Sequence, residues 1–252
     1  MPRTQRWIFS RVRQAVKDFS LIEPGDRIVV GLSGGKDSLG LLYILSRLRN
    51  FHGFDFELKA VHLDLGWSVI GLPPADVVQL GRTCAELEVP FENEPTQIAE
   101  IVFAARREDH PCALCAHLRR GALNNVAKRL GFNKVALGHH RDDAIETFFL
   151  NLFYNGQMNT FTPRTDLTRS GLILIRPLVY LPERALAQLV AEENLAVVKN
   201  SCPASGQTKR QEVKQVVSRL VSQYPELGNR AITAFKNVHP DLIYGWAPKK
   251  VR

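Results

Sequence analysis

The chain has 252 residues, of which 45% are hydrophobic, and it carries a formal net charge of +8 with an isoelectric point near 9.5. This length suits one large domain, or one domain with an appendage, and the apolar content is sufficient for a core. No apolar run approaches the roughly 20 residues of a membrane-spanning helix, and the first residues lack the apolar segment of a secretory signal. We therefore expect a cytoplasmic protein with no membrane association, and the positive charge predicts a polyanionic partner.

Strand and helix patterns alternate along most of the chain. An amphipathic helix is predicted first, because apolar residues repeat at helical spacing as far as Phe19. Strands are predicted at 27–32, 56–63, 89–92, 134–138 and 172–175, and helices at 37–50, 75–88, 96–107, 117–130, 142–154 and 182–194. Loops are predicted at 66–74 and 108–115. Such alternation predicts an α/β fold with a mostly parallel sheet and helices on both faces.

The strand signals stop near Val198, and two further helices are predicted at 209–224 and 225–238. We therefore expect three parts, namely an N-terminal helix at 1–24, an α/β catalytic domain at 25–197 and a small helical C-terminal appendage at 198–252. In a parallel sheet of this kind, ligands bind at the carboxyl ends of the strands. Residues that follow predicted strands are thus candidates for a functional site.

The stretch from Ser33 to Ser38 reads Ser-Gly-Gly-Lys-Asp-Ser and joins a predicted strand to a predicted helix. Gly34 and Gly35 let the backbone approach a ligand closely and adopt a positive φ. The free N–H groups at the helix start and the charge of Lys36 suit an anion. The spacing fits neither the Walker pattern nor the dinucleotide pattern G-x-G-x-x-G. A phosphate loop of another kind remains, or a tight turn with an unrelated lysine.

This loop resembles the pyrophosphate loop of the PP-loop ATP pyrophosphatase superfamily. Enzymes of that superfamily cleave ATP between the α- and β-phosphates, adenylate a substrate oxygen and hold the pyrophosphate in the loop. The resemblance implies the corresponding fold and an ATP site. The residues it implies for binding ATP and pyrophosphate are Ser33, Gly34, Gly35, Lys36, Asp37, Ser38, Asp64 and Gly138.

Three of the four cysteines form a second constellation. Cys112 and Cys115 have C-x-x-C spacing at the opening of a helix, and Cys202 lies far along the chain in a turn-rich segment. Thiolates are soft ligands that suit iron–sulfur clusters or zinc. The residues alone leave open a cluster, a zinc site completed by a neighbouring histidine, or a redox pair with an unrelated thiol. Cys84 lies within a predicted helix and is expected to be a core residue.

Longer stretches extend the resemblance to one family. Residues 112–121, 137–143 and 149–154, with Arg176-Pro177-Leu178 and the Cys202 segment, closely resemble the tRNA 2-thiocytidine synthetases. The resemblance implies a sulfurtransferase that uses ATP to adenylate the C2 oxygen of a cytidine at position 32 of the tRNA anticodon loop. Sulfur then displaces AMP, so that ATP yields AMP and diphosphate. The resemblance also implies a [4Fe-4S] cluster held by Cys112, Cys115 and Cys202.

The same resemblance implies roles for single residues. The candidate catalytic residues are Lys36, Asp37 and Asp142, of which Lys36 would stabilise phosphate charge and Asp37 would hold Mg²⁺ or orient the loop. Asp143 has the spacing of a helix-capping residue, which favours Asp142 for the functional role. Possible contacts to the substrate or its phosphates are Arg119 and His139.

The implied partners are tRNA, a sulfur donor such as a cysteine desulfurase persulfide, and a second copy of the chain in a homodimer. Another PP-loop enzyme that adenylates tRNA is the main alternative, for example a 2-thiouridine synthetase, a lysidine synthetase-like ligase or a zinc-containing relative. A nucleotide- or RNA-binding protein without catalysis is a third possibility. The presence of Lys36, Asp37 and Asp142 argues against it.

Overall fold

The computed structural model describes residues 3–106, 111–199, 201–204 and 208–239. Within these ranges, the chain forms two compact units. The first contains the described residues of 1–144 and 161–208, and the second contains those of 145–160 and 209–252. The helical unit thus differs in extent from the predicted appendage at 198–252. Its C-terminal part begins at Lys209, it includes a segment from the middle of the chain, and it leaves Cys202 in the first unit.

The first unit is built on a mostly parallel sheet, which confirms the predicted fold class. Its strands are β1 (Asp26–Gly31), β2 (Phe56–Asp64), β3 (Phe91–Pro95), β4 (Lys134–Ala136), β5 (Arg164–Leu167) and β6 (Leu172–Ile175). Among the described residues the strand order is β3-β2-β1-β4-β6-β5, and only the β5–β6 pair is antiparallel. The sequence does not predict β5, because Arg-Thr-Asp-Leu has no apolar run and the strand pairs on one side only.

Helices cover both faces of this sheet. They are α1 (Arg3–Asp18), α2 (Lys36–Leu48), α3 (Val77–Glu86), α4 (Pro111–Arg129), the start of α5 (Arg141–Leu150) and α6 (Glu183–Glu192), with a 3₁₀ turn at Trp67–Ile70 and a π-helical segment at Glu100–Ala105. Side chains of β1 alternate between two apolar layers. Ile28 and Val30 join the core formed with α1, α2 and α6, whereas Val29 packs with Leu123 and Val126 of α4. Burial on both faces explains why the central residues of β1, Ile28-Val29-Val30, form an unbroken apolar run.

Helix α4 begins earlier than the sequence pattern predicts. It starts at Pro111, so that Cys112 and Cys115 lie in its first turns and not in a preceding loop. Proline is favoured at a helix start because its missing N–H has no partner to lose there. Residues 108–110, the first part of the predicted loop, lie outside the described part of the chain together with residue 107.

The second unit is helical. It contains the end of α5, a π-helical segment at Asn151–Asn155, α7 (Lys209–Gln223) and α8 (Leu227–Lys236). Ile145 packs with Val213 in a buried cluster, and the Tyr154 hydroxyl donates to the Glu212 carboxylate at 2.8 Å. These contacts join two segments that are distant in the sequence. None of the helices described in either unit has the length and apolarity needed to cross a membrane.

A buried ion pair lies at the amino ends of the central strands. Lys134, at the start of β4, is fully buried, and its Nζ lies 2.6 Å from Oδ2 of Asp26, at the start of β1. The Asp26 carboxylate also accepts hydrogen bonds from the Glu23 N–H and the Asn133 side-chain amide. Lys134 Nζ donates to the Leu21 carbonyl oxygen at 3.1 Å. Removal of one partner from such a pair leaves an uncompensated buried charge.

We expect Asp26→Ala to lower the free energy of unfolding by about 3 kcal/mol, because the buried Lys134 ammonium would keep only the exposed Glu23 carboxylate, 3.7 Å away, as a counter-charge. Chemical denaturation followed by circular dichroism measures this loss. The matched control is Glu57→Ala, which removes the carboxylate that lies 2.8 Å from Arg27 in an exposed pair and should cost less than about 1 kcal/mol. Equal losses in the two variants would contradict this account of Asp26.

Candidate active site

The glycine loop lies between the carboxyl end of β1 and the first turn of α2. Gly34 has φ +82°, in the left-handed region that favours glycine. Ser38 Oγ donates to the Gly35 carbonyl oxygen at 2.9 Å and accepts from the Ser33 N–H at 3.2 Å, so the serines stabilise the shape of the loop. Because the N-cap of α2 is a glycine, no capping side chain binds the first N–H groups of the helix. With the helix dipole, these groups form a site for an anion.

Lys36, the first residue of α2, lies between two carboxylates. Its Nζ is 3.0 Å from Asp37 Oδ2 and 2.8 Å from Glu183 Oε1. Burial disfavours the ammonium, but the hydrogen bonds to Glu183 and Asp37 and their charges outweigh it and raise the pKa of Lys36. The ammonium therefore stays charged at neutral pH, as binding of phosphate requires.

Glu183 is a residue of this site that the sequence patterns did not reveal. It begins α6, and an acidic residue in a first turn is ordinarily explained by its favourable interaction with the helix dipole. The one signal in the sequence that could have indicated Glu183 was its position shortly after Arg176-Pro177-Leu178, a stretch that belongs to the family resemblance. No local pattern indicates that its side chain reaches a lysine almost 150 residues earlier, since only the packing of α2 on α6 brings them together.

Asp142, the candidate catalytic carboxylate, is held at both oxygens. Oδ1 lies 3.1 Å from Arg141 Nε, and Oδ2 accepts the Glu183 N–H at 2.8 Å. Asp142 therefore links the start of α5 to the start of α6, and through Glu183 it is connected to Lys36. The geometry thus gives Asp142 an indirect structural link to the phosphate loop, through Glu183, in addition to any contact with a substrate.

Asp143 and His140 cap the start of α5 reciprocally. The Asp143 carboxylate accepts the His140 N–H at 2.9 Å, and the Asp143 N–H donates to His140 Nδ1 at 3.3 Å. Asp143 is the third residue of α5, so it acts in the manner of the acidic partner in a capping box and not as the residue before the helix. His140 is buried, and its Nε2 lies 3.8 Å from Asp37 Oδ1.

Gly138 follows β4 and lies against the first turn of α2. A Cβ at this position would come 2.8 Å from the Asp37 carbonyl oxygen and 3.1 Å from the Ser38 nitrogen, so any side chain would displace backbone. The next residue, His139, packs its ring on Phe161 with centroids 5.1 Å apart. Gly138 thus permits a close approach of β4 to the phosphate loop, whereas His139 has an aromatic packing contact.

Asp64, at the end of β2, shapes a turn. Its Oδ1 accepts the Gly66 N–H at 2.9 Å, and its carbonyl oxygen accepts from the Thr96 hydroxyl at 2.8 Å. The turn leads into the 3₁₀ segment, where Trp67 packs on Phe103 with ring centroids 5.7 Å apart. The structure therefore gives the Asp64 side chain a local role at the same sheet edge as the glycine loop.

Arg119 of α4 lies within electrostatic reach of two different groups. Burial and the charge of Arg119 lower the pKa of His62 on β2, although the Leu32 carbonyl, 2.8 Å from His62 Nδ1, and the charge of Asp64 oppose the shift. Arg119 also lowers the pKa of Cys115, whose burial raises it by more. Arg119 is therefore near both the end of β2 and the cysteine-bearing turn of α4. No sequence pattern had indicated a role for His62.

The three candidate ligand cysteines differ from the fourth in exposure. Cys84 is fully buried, and burial raises the pKa of its thiol to about 12, as expected of a core residue. Cys112 is exposed, and Cys115 and Cys202 are partly exposed. The pKa of Cys115 is raised by burial and, to a smaller extent, by Cys202 and Cys112, so the three thiols lie close enough to interact electrostatically.

The segment that carries Cys202 contacts the phosphate loop directly. The Val198 N–H donates to the Gly34 carbonyl oxygen at 3.0 Å, and a Cβ on Gly34 would come 2.9 Å from Val198 Cβ. Ser201 Oγ donates to the Pro73 carbonyl oxygen at 2.6 Å.

Over the described part of the chain, no three His, Cys, Asp or Glu side chains are grouped tightly enough to hold a single metal ion. Cys112 and Cys202 thus lie within electrostatic reach of Cys115, but the described side chains do not form a closed metal site.

Comparisons with known proteins agree on the domain. Residues 6–220 match the family model of the PP-loop domain. The chain is 39% identical over 240 residues to the tRNA-cytidine(32) 2-sulfurtransferase of Pelobacter propionicus, covering 92% of this chain and 87% of that protein. It is 38% identical over 231 residues to the enzyme of the same name from Nitrosomonas europaea, covering 90% and 71%.

A solved structure has the same fold. The U34-tRNA thiolase NcsA from Methanococcus maripaludis, determined with its [4Fe-4S] cluster, superposes with a TM-score of 0.74 over 94% of this chain and 80% of that one. The two sequences are 20% identical, so this likeness concerns the architecture.

Proposed function

The chain belongs to the tRNA-cytidine(32) 2-sulfurtransferase family, and from this premise we propose that it thiolates C2 of cytidine 32 in the tRNA anticodon loop. It is an ATP-dependent tRNA sulfurtransferase with a PP-loop domain. The observation that carries the proposed mechanism is the hydrogen bond from the Val198 N–H to the Gly34 carbonyl oxygen, because it joins the segment bearing Cys202 to the phosphate loop.

The reaction needs activation because the C2 oxygen of cytosine is a poor leaving group. In the first step this oxygen attacks the α-phosphorus of ATP, the bond to the β-phosphate breaks, and pyrophosphate leaves. In the second step sulfur at the oxidation level of sulfide attacks C2, and the C–O bond breaks to release AMP. The protein contributes mainly placement of the reactants and stabilisation of phosphate charge.

The glycine loop supplies the phosphate site. Its N–H groups and the Lys36 ammonium would stabilise negative charge on the β- and γ-phosphates, together with Mg²⁺ held largely by phosphate oxygens and water. Asp37 holds Lys36 from one side, and Asp142 positions the start of α6 beside it. Gly138 allows the close backbone approach, and Asp64 shapes the adjoining turn.

Cys112, Cys115 and Cys202 fit a [4Fe-4S] cluster by their chemistry and exposure. All three are soft ligands outside the core, and Cys112 and Cys202 both lie within electrostatic reach of Cys115, whereas Cys84 is fully buried. Held by these three thiolates, such a cluster would have one iron without a protein ligand and would supply a position for sulfur. Arg119, next to Cys115, and His139, at the end of β4, are the candidates for contact with the RNA or its phosphates.

The partners follow from the reaction. tRNA is the polyanion that a chain of net charge +8 suits. The target base leaves its stack to reach the phosphate loop, as base-modifying enzymes require. A cysteine desulfurase persulfide would provide the sulfur, and a second thiol would reduce its outer sulfur to sulfide while forming a disulfide. The cytoplasm would be the compartment, and a homodimer would be the working assembly. We assign catalysis to the first unit, which contains the glycine loop and the three cysteines.

The test is a thiolation assay with protein purified without oxygen. With ATP, Mg²⁺, a sulfide source and tRNA transcripts, we expect AMP and pyrophosphate in equal amounts and one 2-thiocytidine at position 32, found by mass spectrometry of nuclease digests. A transcript with uridine at position 32 is the matched control and should not be thiolated there. Modification of a uridine, or adenylation with no sulfur in the tRNA, would instead support another PP-loop enzyme.

A further inference from the structure

Two carboxylates share the one lysine of the phosphate loop. Asp37 Oδ2 lies 3.0 Å and Glu183 Oε1 lies 2.8 Å from Lys36 Nζ. Asp37 is the neighbour of Lys36 in the sequence, whereas Glu183 comes from a different helix. These three side chains together carry one positive and two negative charges, although the site beside them must bind a polyanion. An anion site built for the tightest possible binding would not add the second carboxylate.

Packing fixes the position of Glu183. Its backbone N–H donates to Asp142 Oδ2 at 2.8 Å, which anchors the first turn of α6 to the start of α5. The side chains of Lys36 and Glu183 are 32% and 26% exposed, so water screens their interaction only in part. The backbone anchor of Glu183 therefore keeps its carboxylate beside Lys36. Its negative charge acts on any phosphate that Lys36 binds.

We propose that Glu183 is a positioning residue that holds the Lys36 ammonium ready in the free enzyme and weakens its hold on phosphate, so that pyrophosphate can leave after adenylation. The inference rests on the proposed function, because it concerns the phosphate site of that reaction. The raised pKa of Lys36 agrees with it, since Glu183 and Asp37 favour the charged form. When phosphate oxygens take up the ammonium, the Glu183 carboxylate repels them and limits the affinity.

The decisive measurement is the affinity for Mg²⁺-pyrophosphate in Glu183→Gln, by isothermal titration calorimetry without tRNA. Glutamine keeps the length of the side chain and an oxygen that accepts from Lys36, so the variant removes the charge and retains the hydrogen bond. We expect pyrophosphate to bind about 3- to 10-fold more tightly than in the wild type. Inhibition of AMP formation by pyrophosphate should strengthen by the same factor.

Two variants serve as controls. Glu192→Gln makes the same charge change at the exposed last residue of α6, where the carboxylate accepts from Gln188, and should leave the affinity unchanged. Glu183→Asp keeps the charge near the site and should bind pyrophosphate within about twofold of the wild type. Weaker or equal binding in Glu183→Gln, with the wild type binding normally, would overturn this inference alone. A wild-type protein that binds no pyrophosphate would overturn the proposed function as well.

Discussion

Replacing Cys202 with serine is expected to remove both bound iron and thiolation activity. The remaining Cys112 and Cys115 would offer two thiolates, too few to hold a [4Fe-4S] cluster whose third protein ligand is lost. We expect iron and acid-labile sulfide to fall to background in protein purified without oxygen. Formation of 2-thiocytidine should fall by more than about 100-fold, a larger loss than changes around a metal site usually cause.

The control for this result is Cys84→Ala. Cys84 is fully buried in the core, unlike the three thiols that solvent reaches, so this variant should keep its iron, its sulfide and its activity. A Cys202→Ser protein that retains a full cluster would refute the assignment of three cysteine ligands. Stoichiometric zinc in place of iron in the wild type would refute the cluster itself.

Lys36→Ala is expected to lower kcat/KM for ATP by about 10²- to 10³-fold, equivalent to roughly 3–4 kcal/mol of transition-state stabilisation. The ammonium is the one full positive charge that the loop sequence contributes, so nothing else in it replaces the lost interaction with the phosphates. Release of pyrophosphate in the presence of tRNA measures the effect. Lys17→Ala, at an exposed position in the last turn of α1, makes the same charge change and should have wild-type kinetics.

The pH dependence provides a second check on Lys36. Its pKa is raised from the ordinary value of 10.5, so the ammonium is fully present at lower pH and is lost only as the pH rises above that value. Titration of Lys36 should therefore cause no decline in ATP binding between about pH 6 and 9. A decline that disappears in Lys36→Arg would show that the ammonium deprotonates within that range, contrary to its two carboxylate contacts.

Elements with strong local signals could be predicted from the sequence. The centre of strand β1, Ile28-Val29-Val30, is an unbroken apolar run because it is buried on both faces. The Ser-Gly-Gly-Lys-Asp-Ser stretch combines glycines, a lysine and hydroxyl groups in an order that suits phosphate binding. Strand β5 could not be predicted, since an edge strand that pairs on one side needs no apolar run. The sequence predicts the start of α4 too late, because the proline that opens the helix, Pro111, is equally typical of a loop.

The amino-acid order was enough to establish the α/β class, the phosphate loop, the three candidate ligand cysteines and the family, because each depends on residues that are close in the chain or on motifs of fixed spacing. The contacts of those residues depended on the folded molecule. Packing of α2 against α6 gives Lys36 its second carboxylate, Glu183, and the Val198–Gly34 hydrogen bond brings the Cys202 segment to the loop. Both contacts join residues more than 140 positions apart, and no local pattern encodes a distance of that kind.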